Sequence, residues 1–115
     1  MDQSLLPLTE ATFYILLSLS AGLKHGYAIL KDVSTLSNMT LKLSTSTLYG
    51  ALGRMQEQGL IERVENEPGV ATGPGLPRKA YQLTELGRSI LEAEMFRLHR
   101  MVKAGGQHLG QEPLS

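Results

Sequence analysis

Between residues 68 and 77 the sequence holds three prolines and three glycines. Proline removes a backbone donor and glycine weakens regular structure, so this stretch is predicted to form neither a helix nor a strand. On either side, residues 60–67 and 78–84 show the period-two alternation that is typical of strands. The sequence therefore predicts a two-stranded hairpin with a long, glycine-rich tip.

Three helices are predicted before this hairpin. The first covers residues 5–21 with Thr9 as its N-cap, and it is so apolar between residues 13 and 19 that most of its circumference should be buried. The second covers residues 28–36, and the third opens with the hydroxyl residues of positions 44–47, which can cap free backbone N–H groups. The buried stripe of the third helix is expected to consist of Leu48, Leu52 and Met55.

One more helix is predicted after the hairpin. Thr84 is its expected N-cap, and the helix should run to about Ala104, where Gly105 and Gly106 stop it. Its apolar residues are spaced four, three and four apart, which is the heptad spacing of a helix–helix interface. These residues are Leu91, Met95, Leu98 and Val102. Because the chain has only 115 residues and its first helix is already apolar, we expect this seam to form a homodimer.

The order of elements predicts a mainly α fold with a small β-hairpin, namely a winged helix-turn-helix followed by one C-terminal dimerisation helix. The expected boundaries are residues 5–84 for the DNA-binding domain, 85–104 for the dimerisation helix and 105–115 for a disordered tail.

Charge is distributed unevenly although it sums to zero, with 11 basic and 11 acidic residues. Between residues 24 and 54 there are four basic residues and a single acid, Asp32, and the second strand adds Arg78 and Lys79. The sequence therefore indicates a lean basic face, with few phosphate contacts per subunit.

Several classes of site are not supported by the sequence. It has no cysteine, and its three histidines lack the spacing of metal ligands. Nucleophile-elbow, Walker and dinucleotide-binding motifs do not occur, and the carboxylates of Glu92 and Glu94 are interpreted as solvated charge. We therefore expect no enzyme, cofactor or metal. Neither a signal peptide nor a membrane span is recognised, so a cytoplasmic location is expected.

The third helix carries the chemistry expected of a recognition helix, which enters the major groove through its N-terminal part. Small hydroxyl residues allow close approach to phosphates and can donate to base edges, and Tyr49 follows on the same exposed side.

These segments together resemble the PadR family of bacterial transcriptional regulators, in its short form with one helix after the wing. The resemblance covers residues 6–102 and rests on Leu8-Thr9-Glu10, His25-Gly26-Tyr27-Ala28-Ile29, Ser46-Thr47-Leu48-Tyr49-Gly50-Ala51-Leu52, Gly59-Leu60-Ile61 and Pro77-Arg78-Lys79-Ala80-Tyr81-Gln82-Leu83-Thr84-Glu85-Leu86-Gly87. The chain departs from the family pattern at Gly50, where proline is usual, and at Ala80, where a second aromatic is common.

The resemblance implies a homodimer that binds a pseudo-palindromic operator on double-stranded DNA and usually represses a neighbouring gene. Together with the local chemistry, it gives the expected DNA-binding residues as Tyr27, Lys42, Ser44, Thr45, Ser46, Thr47, Tyr49, Arg54, Arg78 and Lys79. The first and last helices would form the dimer interface, through Leu5, Leu8, Phe13, Leu91, Met95, Leu98 and Val102. A small hydrophobic or aromatic effector would bind in that interface against Met95, Phe96 and Leu98.

Two other functions stay open at this point. A winged helix can serve as a protein–protein interaction module without DNA, and a dimer of this kind can be a small-molecule-binding scaffold.

Overall fold

The computed structural model describes residues 5–65 and 79–111; the predicted hairpin tip, Arg78 and the last four residues lie outside this part. The elements in chain order are α1 (Glu10–Leu19), β1 (Lys24–His25), α2 (Gly26–Leu36), α3 (Thr45–Glu57), β2 (Ile61–Val64), β3 (Ala80–Leu83) and α4 (Glu85–Leu109). They form the mainly helical winged helix-turn-helix fold that the sequence predicts, with a small sheet and a long last helix.

The sheet has three antiparallel strands in the order β1-β3-β2, one more than predicted. The extra strand, β1, places Lys24 opposite Tyr81 and His25 opposite Ala80. Two residues are too few to show a periodic pattern, which is why the sequence did not reveal it. The adjacent residues Ala80 and Tyr81 of the central strand β3 are both buried, so the alternation predicted for this strand is not observed.

The core forms where α1, α2 and α3 pack together against one side of the sheet. Thr9 caps α1 as predicted, with its hydroxyl accepting from the backbone N–H of Thr12 at 3.1 Å. The helix itself is shorter than the predicted range 5–21, because it begins at Glu10 and its last residue is Leu19. The fully buried side chains at the centre include Ile15, Leu16, Ile29, Leu48, Leu52, Met55, Leu60 and Ile90.

The start of α4 meets the end of α3 in one compact junction. Gly59 has a φ of 78°, as expected for a glycine helix terminus, and its carbonyl accepts from the Thr84 hydroxyl at 2.6 Å. The same hydroxyl accepts from the backbone N–H of Gly87 at 3.0 Å and so caps α4. The Leu60 carbonyl accepts from the Thr84 N–H at 3.1 Å and lies so close to Gly87 that a Cβ there would overlap its oxygen.

The last helix is longer than predicted, since it continues through Gly105 and Gly106 to Leu109. A glycine inside a helix costs only about 1 kcal/mol relative to alanine, so two of them weaken a helix without ending it. The actual terminus is Gly110, whose φ of 72° lies in the left-handed region. Residues 105–109, which were predicted to belong to a disordered tail, are therefore helical.

Replacing Gly87 with alanine should test the junction. We expect Gly87→Ala to lower the free energy of unfolding by about 3 kcal/mol, because the new methyl group would force α4 away from the Leu60 carbonyl. The measurement is urea unfolding followed by circular dichroism at a fixed protein concentration. Gly53→Ala is the matched control: its Cβ would meet no atom within 4 Å, so it should stabilise α3 by up to about 1 kcal/mol. Equal stability of the Gly87→Ala and wild-type proteins would contradict this account.

Candidate nucleic-acid interface

The N-terminal turn of α3 presents a row of exposed hydroxyl groups. Ser44 is the N-cap, and its hydroxyl accepts from the backbone N–H of Thr47 at 3.1 Å while bonding the Thr47 hydroxyl at 2.9 Å. The Ser46 hydroxyl oxygen lies 3.4 Å from that of Ser44. Residues 44–47 are all exposed, so the positive end of the α3 dipole and its hydroxyls face solvent together.

The opposite side of α3 is fixed in the core. Leu48, Leu52 and Met55 are fully buried, as their spacing predicts, and this anchors the helix with its hydroxyl-bearing turn outward. Tyr49 is partly exposed, and its hydroxyl occupies the space that a side chain at Gly26 would need. Gly26 thus lets the start of α2 approach α3 closely.

Tyr27 is the most exposed aromatic residue of the described chain, with 73% of its surface accessible. The Lys31 ammonium lies 5.8 Å from the centre of its ring, in a cation–π arrangement one helical turn along α2. Lys31 is missing from the predicted site, although its i, i+4 spacing from Tyr27 was a usable signal. Lys42 and Arg54 are also exposed; Lys42 precedes the Ser44 cap and Arg54 lies in the last turn, so cationic groups occur at both ends of α3.

The basic charge of Lys24 is not available to a ligand. Its ammonium forms an ion pair with Asp32, and the same carboxylate oxygen accepts from the Ser18 hydroxyl at 2.8 Å. Burial on its own would raise the pKa of Asp32, but the hydrogen bonds from Lys24 and Ser18 outweigh it and hold the pKa below its ordinary value. The pair joins β1 to the middle of α2 and so fixes the junction of the two elements, where Tyr27 lies in the first turn of α2.

Of the basic pair predicted on the wing, only Lys79 belongs to the described residues. Lys79 is exposed at the start of the second described segment, and Arg78 lies outside that segment. On β2 the exposed Arg63 is paired with Glu65 at 3.4 Å.

The predicted dimer-interface residues fall into two groups. Leu91 is only 4% exposed and belongs to the core of its own chain, so its assignment to a surface seam is wrong. Leu5, Leu8 and Phe13 are half-buried and pack against that core. Met95, Leu98 and Val102 remain exposed on α4, together with Phe96, Met101 and Leu109. The long half of α4 thus carries an apolar surface that residues 5–65 and 79–111 leave exposed, and the three predicted effector-binding residues lie on it.

Glu94 contradicts the interpretation of this region as solvated charge, because it is only 2% exposed. One of its oxygens accepts from Arg97 Nε at 2.6 Å; the other accepts from Arg97 Nη2 at 3.0 Å and from the backbone N–H of Leu8 at 2.9 Å. The Arg97 hydrogen bonds and that of Leu8 hold the pKa of Glu94 below its ordinary value, against the opposing effect of burial. The pattern Glu-x-x-Arg is common on exposed helices, so the sequence offered no signal for this burial.

The described residues include no group of three or more histidine, aspartate and glutamate side chains that could hold a metal ion. In the same part of the chain, no helix combines the length and the apolar character that crossing a membrane requires.

Comparisons with known proteins identify the family and the fold of the chain. Residues 15–93 match the transcriptional regulator PadR-like family. A PadR family transcription regulator from Clostridium difficile has the same fold with a TM-score of 0.71 and 27% identity, over 88% of this chain and 99% of that one. For a PadR-like regulator from Bacillus cereus the TM-score is 0.64 and the identity 27%, over 96% and 99%. No curated protein matches the chain.

Bacillus subtilis PadR, whose structure was solved in complex with operator DNA, has a similar fold with a TM-score of 0.65 and 24% identity. The alignment covers 77% of this chain and 48% of that one.

Asp32→Asn should show what the ion pair of Asp32 with Lys24 contributes. A carboxylate with a lowered folded-state pKa stabilises the protein above its unfolded-state pKa, and the contribution is lost as the pH falls through the folded-state value. We expect the variant to be about 1 kcal/mol less stable at pH 7 and to lose less stability than the wild type below pH 4. Urea unfolding between about pH 2 and pH 7 measures both effects, and parallel pH profiles would contradict the assignment.

Proposed function

The chain belongs to the PadR-like family of transcriptional regulators, and we propose that it binds a pseudo-palindromic operator as a homodimer and represses transcription from it. The observation that carries this proposal is the α3 N-terminal turn, where exposed hydroxyls stand at the positive end of a helix whose other face is held in the core. A rigid helix with an exposed N-terminus and small donors suits the major groove.

The phosphate contacts come from the groups around α3. Lys42 and Arg54 lie at either end of the helix, and Tyr27 with Lys31 flanks it on α2. In this proposal Thr45 and Ser46 reach base edges, while Ser44, the N-cap, and Thr47, to which it is hydrogen-bonded, stay near the DNA backbone. Arg78 and Lys79 contact the flanking DNA from the wing.

One subunit supplies few cations, because Lys24 is already neutralised by Asp32. Two subunits double the phosphate contacts, and the exposed apolar residues of α4 supply the surface that joins them. The two copies of α3 would then enter successive major grooves, about 34 Å apart. A hydrophobic or aromatic effector, bound between the subunits at Met95, Phe96 and Leu98, would release DNA if it favoured a different spacing of the two helices.

The decisive experiment is fluorescence anisotropy with a duplex taken from directly upstream of the protein's own gene, beside a scrambled duplex, at two salt concentrations. Binding that prefers the native duplex and weakens steeply with salt supports the proposal, because released counterions give the salt dependence. A folded protein that binds neither duplex would overturn it and favour a protein–protein interaction module.

Lys42→Ala and a Thr45→Ala/Ser46→Ala double variant should separate backbone contact from base readout. Loss of Lys42 should weaken the binding of both duplexes. It should also lower the magnitude of the slope of log affinity against log salt concentration by about 0.9 per subunit. The double variant should bind the native duplex about tenfold more weakly and leave the scrambled duplex unaffected, because its hydroxyls address bases. Lys103→Ala removes the same charge from the far part of α4 and serves as the control. An equal effect of Lys103→Ala would contradict the assignment of Lys42.

Leu98→Asp should dissociate the dimer. A carboxylate placed in an apolar interface would lose its hydration without a partner, which costs several kcal/mol in practice. We expect a monomer in sedimentation-velocity experiments at micromolar concentration and at least a tenfold loss of affinity for the upstream duplex. His99→Asp, which places the same charge on the adjacent exposed position, is the control and should remain dimeric. A dimeric Leu98→Asp protein would exclude this face as the interface.

A further inference from the structure

All buried residues of α4 lie within its first ten positions. They are Gly87, Ile90, Leu91 and Glu94, and from Met95 to Leu109 no residue of the helix is buried. The helix is therefore attached to the DNA-binding body over two and a half turns, and the rest projects beyond it.

The attached part of α4 contacts other elements near both of its ends, at Gly87 and at Glu94. Gly87 abuts the Leu60 carbonyl, which fixes the beginning of the helix against the end of α3. Two turns later, Glu94 accepts the Leu8 N–H from the segment that leads into α1. Ile90 and Leu91 pack between them through apolar contacts, which have no preferred direction. Arg88 adds a hydrogen bond to the Ser20 carbonyl at 3.5 Å. Among the described residues, the bond from Leu8 to Glu94 is the last one along α4 that joins it to another part of the chain, so with this packing it helps to hold the direction of the helix axis.

The position of the Glu94 carboxylate is strongly specified. Two oxygens accept three N–H groups, two of them from the rigid guanidinium fork of Arg97. A glutamine at position 94 has a single acceptor oxygen, and its amide nitrogen would face one of those donors. The substitution therefore removes at least one of the three hydrogen bonds and places two N–H donors against each other, while it preserves the size of the side chain.

Small movements at Glu94 become large at the end of α4. With a rise of about 1.5 Å per residue, Glu94 lies about 10 Å along the axis from Gly87, and Leu109 lies about 33 Å from it. A displacement of 1 Å at Glu94 consequently moves the helix end by about 3 Å.

We propose that Glu94 is a positioning residue for DNA recognition: by holding the segment before α1 against α4, it sets the angle of the dimerisation helix and so the separation of the two recognition helices. This inference rests on the proposed homodimer. Arg97 takes part by orienting the carboxylate, and neither residue needs to touch DNA.

The absence of native cysteine allows a direct test. A nitroxide spin label on Ser46→Cys, an exposed position in the first turn of α3, reports the distance between the two recognition helices by double electron–electron resonance. The measurement is made on the full-length protein carrying this label alone, and again with Glu94→Gln, with Arg97→Lys and with Glu92→Gln. Glu92 is the exposed neighbour two positions earlier, so its variant controls for loss of a negative charge on α4.

We expect a narrow distance distribution for the otherwise wild-type and Glu92→Gln proteins. Glu94→Gln and Arg97→Lys should shift its mean by about 3 Å or double its width, in samples confirmed as folded by circular dichroism. If Glu94→Gln does not fold, the folded Arg97→Lys protein, which keeps the charge but loses the fork, decides the question.

Unchanged distributions in the folded variants would overturn the inference and leave the proposed function intact. Absence of any inter-subunit distance in the labelled protein without further substitutions would overturn the homodimer itself, and the inference with it.

Discussion

The contact between the backbone of residues 59–60 and the start of α4 is the constraint on which the other elements depend. Thr84 is at once the cap of α4 and the donor to the Gly59 carbonyl, so one side chain ties the end of α3 to the beginning of the last helix. Gly87 permits that approach because any side chain there would meet the Leu60 carbonyl. The helix that is proposed to read DNA and the helix that is proposed to join two subunits are thereby parts of one rigid junction.

From this junction the two helices expose opposite chemistries. The turn that begins α3 shows hydroxyls and is bordered by Lys42, while the projecting half of α4 shows methionine, phenylalanine and leucine side chains. The free positive charge near α3 is small, since Lys24 is held by Asp32. In the proposed dimer the two features complement each other. One subunit offers few cations for phosphate contacts, and the exposed apolar surface of α4 binds a second subunit, which doubles those contacts.

Glu94 shows how a residue type can mislead. A glutamate three positions before an arginine on a helix ordinarily forms a weak, exposed ion pair. Here Leu8, whose backbone N–H donates to the Glu94 carboxylate, is 86 positions away in the sequence. Only the folded chain brings the two groups together. The same long-range packing removes Leu91 from the apolar seam of α4, although its spacing is identical to that of the residues that remain exposed.

The sequence by itself determined the order of the four helices and the two hairpin strands, the caps at Thr9 and Thr84, the hydroxyl run 44–47 that contains the α3 cap, and the buried stripe of α3. Each of the caps and the stripe depends on side chains within about one helical turn. Tertiary structure decided the rest. The two-residue strand β1 exists only through its pairing with β3, and α4 continues through two glycines to a left-handed glycine terminus that local propensity did not single out. Burial of Glu94 and Leu91 depends on which segments pack against α4, and contacts between distant residues leave no periodic trace in a sequence.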